Sequence, residues 1–110
     1  MHLLNAFSLG MLPVGVTKVT FADISLEDAR VLAAHGFVSA VGHADTAAVF
    51  SALLGVDVQP ARVSVAIPAR AYGVAPWQAL VGQYSGPRLA EGATTLPEGA
   101  VIRWVTVYVE

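Results

Sequence analysis

An α/β fold, with a mixed central sheet of about five strands flanked by helices in a single small domain, is predicted by three features of this chain. Short β-branched runs alternate with two stretches that carry helix start and stop residues. Apolar residues make up 55% of the sequence and charged residues 13%. The 110 residues contain no internal repeat and no low-complexity tract, so residues 1–110 are read as one domain.

The elements follow in order. Leu3 to Phe7 is an apolar run suited to a buried strand, ending in Ser8 and Gly10. Val14 to Phe21 reads as a second strand, with Val14, Val16 and Val19 facing inward. Ser25 is an N-cap with an acid, Asp28, at the third helical position, and this helix runs to about His35 with Gly36 as its stop. Phe37 to Val41 is the next strand. A second helix spans about His43 to Leu54, with Ala47, Phe50, Ser51 and Leu54 spaced to face a core, and Gly55 closes it. Arg62 to Ile67 alternates and stops at Pro68, which predicts a strand, and Trp77 to Tyr84 predicts another. Ser85 to Gly99 is a long loop punctuated by Gly and Pro, a kind of segment that often carries function. Val101 to Val109, β-branched and aromatic throughout, is the strongest strand of all.

Composition narrows the function classes. Average domains are about 25% charged, so the apolar surplus here predicts a shared interface, most simply a homodimer. A spanning helix needs about 20 apolar residues, and the apolar stretches here are broken by Gly42-His43, Asp45, Asp57 or Arg62. No basic flank of a signal peptide precedes the first apolar run. The absence of cysteine removes disulfides, thiolate metal sites and a Cys nucleophile. A cytoplasmic protein without membrane contact is the expectation. The net charge of −2, with one lysine among six basic residues, disfavours long nucleic acid as a partner. A compact anionic ligand remains within reach of a few arginines and a helix terminus.

The most informative segment is Ser39-Ala40-Val41-Gly42-His43-Ala44-Asp45-Thr46-Ala47-Ala48. It reads as a strand, a Gly turn and the first turn of a helix, with His43 at the tip. A helix N-terminus presents free N–H groups and partial positive charge to a phosphate, and a histidine there can move a proton to or from an atom bonded to it. The alternative is that His43 only caps or packs at the helix end. His35, in the last turn of the first helix, is read as structural, and His2 as a surface residue.

No metal is expected, because His43-x-Asp45 supplies too few ligands. No cofactor is expected either: nucleophile-elbow, dinucleotide and Walker patterns are all missing. A second cluster, Gln83-Tyr84-Ser85-Gly86-Pro87-Arg88-Leu89-Ala90-Glu91-Gly92, places Arg88 and Glu91 three apart in a Gly- and Pro-rich loop. Together they could clamp a phosphate and orient a hydroxyl, or form an ordinary surface ion pair. Arg62 and Arg70 are spare anion donors. Asn5, Ser8 and the Gly10 backbone follow the first strand, where ligands gather in open sheets.

In order along the chain, Asn5-Ala6-Phe7-Ser8 with Met11-Leu12, Ser39-x-Val41-Gly42-His43-x-x-Thr46, Leu53-Leu54-Gly55, Arg62-Val63 and Arg88-Leu89-x-Glu91-Gly92 resemble the viral ring nucleases that act as type III anti-CRISPR proteins, and their cellular relatives. The resemblance runs up to the final strand. It implies a homodimer that binds cyclic tetra-adenylate, the messenger of type III CRISPR systems, and cuts it without a metal to linear di-adenylate, silencing the effectors the messenger activates. In that family the ribose 2′-hydroxyl attacks its own phosphate. His43 matches the general acid on the leaving 5′-oxygen; Arg88 matches the phosphate-holding arginine, and Glu91 a glutamate that helps position the site. Asn5, Ser8, Gly42, Arg62 and Gln83 match ligand-contacting positions. The chain departs from the family in one extra residue between Gln83 and Arg88, which makes Tyr84 a rival to Gln83, and in a short tail after Gly92 that implies loss of a peripheral helix. A two-fold dimer can offer identical half-sites to a ring of four adenylates. Two other functions remain in competition: a sponge that binds the messenger without cutting it, and a dimeric adaptor with no nucleotide chemistry.

Overall fold

Val101–Val109 (β5) pairs antiparallel with Trp77–Ser85 (β4) along the full length of both strands, Trp77 opposite Val109 and Ser85 opposite Val101. This pair is the spine of a computed structural model that describes residues 1–15, 18–69 and 75–110. Val19–Ile24 (β2) adds antiparallel to the outer edge of β5, and His2–Leu4 (β1) adds parallel to β4. Val38–Ala40 (β3) pairs parallel with β1, giving a mixed five-stranded sheet in the order β2-β5-β4-β1-β3. Two helices, Leu26–Ala34 (α1) and Ala44–Leu54 (α2), complete the expected α/β architecture.

Both helices lie on the same face of the sheet. Ala29 and Ala33 of α1 and Ala47, Phe50 and Leu54 of α2 share one core with Leu3, Leu80 and Trp104. Helices therefore cover one face rather than both. Among the described residues the opposite face carries no α-helix: Phe7, Met11, Leu12, Val65 and Ile67 lie over Leu4, Val81 and Val107. At the centre of the helical face the Phe50 and Trp104 rings meet at 5.0 Å, and they do so over Gly82. A Cβ there would stand 2.5 Å from Phe50 Cζ and 2.7 Å from Trp104 Cζ3, so hydrogen is the only side chain that fits.

The helix signals hold closely. Ser25 caps α1 by accepting the Asp28 N–H at 3.1 Å, and Gly36 follows at a φ of 102°. Gly55 ends α2 at a φ of 71°. His35 closes α1, its Nδ1–H donating to the Val31 carbonyl at 2.7 Å. Ser51 faces inward as expected, accepting the Val58 N–H at 2.8 Å and so tying the following turn to α2.

Three strand expectations are corrected. The strand expected over Val14 to Phe21 begins only at Val19 and extends to Ile24, and Val14 is fully exposed. Just before it, Lys18 and Glu110 still exchange backbone hydrogen bonds, beyond the Val19–Val109 pair. Val16 lies outside the described residues. The first strand stops at Leu4, where pairing with β3 and β4 also stops, so Asn5 to Phe7 lie beyond it. Arg62 to Ile67 forms no strand. Among the described residues its backbone is tied at Ile67, to the Met11 carbonyl, and the preceding Ala61 is tied to the Val41 carbonyl, both at 2.8 Å, while Val65 and Ile67 bury into the helix-free face. Alternation there records burial without a ladder.

Candidate functional site

β4, β1 and β3 are neighbours and parallel, so their carboxyl ends open at one edge of the sheet. Ligands of open α/β sheets collect at such edges. Asn5 follows β1, Val41-Gly42-His43 links β3 to α2, and Tyr84 and Ser85 end β4. The Asn5 Oδ1 accepts the Gly42 N–H at 3.4 Å, which joins two of these ends. Arg62 lies alongside, its Cγ 3.8 Å from where a Cβ on Gly42 would stand. Gly42 therefore leaves the approach to α2 open next to an arginine stem.

His43 occupies the N-cap of α2 with extended backbone, φ −121° and ψ 133°. Its carbonyl accepts the Ala47 N–H at 2.9 Å and opens the helix. Its imidazole makes no capping hydrogen bond and is exposed. His43 thus holds the cap position that the alternative reading gave it, through its backbone carbonyl and not through its ring. Among the described residues the ring has no hydrogen-bond partner, at a helix terminus where N–H groups remain available.

A cavity of about 380 Å³ is lined by His43, Asp45, Thr46, Tyr84, Arg88 and Leu89. The loop after β4 brings Arg88 there, and three contacts fix its path. Gly86 takes a φ of 153°, and a Cβ on it would come within 2.7 Å of Ala100 Cβ, so the two ends of the loop touch. The Tyr84 hydroxyl donates to the Pro87 carbonyl. The Gly92 N–H donates to Asp45 Oδ1 at 3.2 Å, tying the far side of the loop to the first turn of α2.

The other sequence-predicted residues are distributed as follows. Gln83 and Tyr84 point to opposite faces because they are consecutive in a strand. Gln83 lies on the helix-free side, in a second cavity of about 620 Å³ shared with Asn5, Phe7, Phe21 and Arg103, whereas Tyr84 reaches both cavities. Tyr84, and not Gln83, stands with His43. Ser8 is exposed at the start of a single 3-10 turn, Leu9–Met11, and its side chain makes no capping bond. Glu91 is exposed, next to the anchored Gly92, and outside the residues that line the His43 cavity. Arg88 and Glu91 do not pair with each other; the ion pair among the described residues is Arg103–Asp23, at 2.6 Å. That arginine holds the Asp23 carboxyl below its ordinary range by hydrogen bonding. Arg70 lies outside the described residues. His2 is half-buried against the Trp77 ring at 5.4 Å rather than at the surface, and burial lowers its pKa. Among the described residues, no three His, Asp or Glu side chains are grouped to hold a metal ion, and no helix is long and apolar enough to cross a membrane.

Sequence reasoning missed two partners. Asp45 was weighed only as a metal ligand, yet it is the residue that holds the loop. Its position in the first turn of a helix, followed by Thr46 at the tip, was the available signal. Tyr84 entered only as a substitute for Gln83.

The family model described as STIV B116-like matches residues 1–99. Among solved structures, B116 of Sulfolobus turreted icosahedral virus is similar over 97% of this chain and 97% of that one, at 27% identity and a TM-score of 0.76. No curated protein matches the sequence.

Proposed function

We propose a metal-independent ring nuclease for cyclic tetra-adenylate, and the premise is family membership: the chain belongs to the STIV B116-like family, a viral protein family. The observation that carries the reading is the exposed imidazole of His43, at the N-terminus of α2, without a capping bond and in one cavity with Tyr84 and Arg88. The resemblance of Gly42-His43 and Arg88-x-x-Glu91 to the ring nucleases supplies the substrate and the homodimer.

In the proposed reaction the ribose 2′-oxygen bonds to the adjacent phosphorus and the bond from phosphorus to the 5′-oxygen breaks. The 2′-hydroxyl proton passes to water, and His43 in its protonated form gives one proton to the departing 5′-oxygen. The products are linear di-adenylates ending in a cyclic 2′,3′-phosphate, formed by two opposed cuts with one His43 from each protomer. Arg88 holds the phosphate by charge-assisted hydrogen bonds, and the first turn of α2 contributes N–H groups and partial positive charge. Glu91 helps position the site from the same loop. Asn5, Gly42 and Arg62 line the approach at the strand ends.

The test is incubation of the purified protein with radiolabelled cyclic tetra-adenylate in EDTA, beside the His43→Ala variant. Di-adenylate formed by the wild type alone is the expected result. Tight binding without cleavage makes the protein a sponge, and neither binding nor cleavage makes it an adaptor.

A further inference from the structure

We infer that Asp45 is a positioning residue for the proposed reaction: its carboxylate latches the Gly86–Gly99 loop onto the tip of α2 and so sets Arg88 opposite His43. Asp45 is half-buried in the first helical turn, where the helix dipole favours its negative charge. Its Oδ1 accepts the Gly92 N–H at 3.2 Å across 47 positions of sequence. Gly92 has a φ of 76°, so the peptide that offers this N–H depends on a backbone conformation that glycine adopts at no steric cost.

The rest of the loop explains why one hydrogen bond has this effect. The loop leaves and re-enters the sheet at a single neck, where Gly86 meets Ala100. Tyr84 ties only the neck, through the Pro87 carbonyl. Arg88 lies between that tie and the Asp45 latch, and both Arg88 and Asp45 line the cavity around His43. Among the described residues the Gly92–Asp45 bond is the only hydrogen bond from the loop interior to α2. Releasing it leaves the loop fixed at one end alone. The arginine is then free to leave the cavity while the helix and its histidine stay in place.

The experiment combines hydrogen exchange with kinetics on the full chain. In Asp45→Ala, exchange of the Gly92 amide is expected to accelerate by about tenfold or more, the lower end of what one hydrogen bond to a charged group is worth. Exchange within α2 beyond its first turn is expected to stay as in the wild type. Asp45→Asn keeps the acceptor oxygen and is expected to restore protection. With cyclic tetra-adenylate, KM for Asp45→Ala is expected to rise by about the same factor and kcat to fall less, and the Asn variant again recovers. The kinetic arm rests on the proposed function and the exchange arm does not, so a wild type without cleavage still leaves the latch testable. Unchanged Gly92 exchange in Asp45→Ala overturns the inference, and so does an Asn variant as impaired as the Ala variant.

Discussion

His43 and Arg88 lie on different elements and reach one cavity by different means, so their substitutions should separate. His43→Ala removes the proposed proton donor from an exposed position whose side chain makes no capping bond. Turnover of cyclic tetra-adenylate is expected to fall about 10²–10⁴-fold with binding retained, measured by single-turnover kinetics beside equilibrium binding. Equal loss of both would make His43 a ligand contact instead. Arg88→Ala removes the proposed phosphate contact and should weaken affinity, whereas Glu91→Ala should slow cleavage more than it weakens binding. An Arg88→Ala variant that binds like the wild type would remove the arginine from the site. Which of Gln83 and Tyr84 belongs with His43 was not legible from the sequence. Leu80, Val81 and Gly82 are all buried, so the hydrophobic pattern of β4 does not alternate and gives no phase for the residues that follow. Only the register against β5 assigns the faces.

At the level of elements, the segments legible in the sequence were those whose own residues decide the outcome. β5 is β-branched and aromatic along its length and was read with its observed ends. The Ser25 cap and the Gly36 and Gly55 stops are local chemistry and bounded both helices within a residue or two. Where the outcome depends on a distant partner, the reading failed. Arg62 to Ile67 has the alternation of a strand, but Val65 and Ile67 meet a sheet face rather than a sheet edge. Gly82 shows the same dependence on distant groups, because its reason for being glycine lies in Phe50 and Trp104. Gly82→Ala is expected to destabilise the fold by about 1–3 kcal/mol, the usual cost of overpacking, as read from the urea midpoint. A variant as stable as the wild type would mean that the two rings move aside freely.

For the whole molecule, the proposed ring substrate requires a two-fold assembly, and the apolar surplus of the sequence has a visible counterpart. Phe21, Val63 and Val101 are each about three-fifths exposed, apolar side chains that a partner surface would cover. Sedimentation equilibrium is expected to return twice the 11.4 kDa of one chain, and a monomer at micromolar concentration would remove the two-cut mechanism. The neck at Gly86 and Ala100 has a consequence of another kind. Because the loop begins and ends at one point, its length is almost decoupled from the sheet: doubling a flexible loop costs only about 0.6 kcal/mol in closure entropy. The strands on either side keep their register whatever the loop contains. Extra sequence is thus least costly between Gly92 and Ala100, a stretch that leaves Arg88, the Asp45 contact and the neck itself untouched.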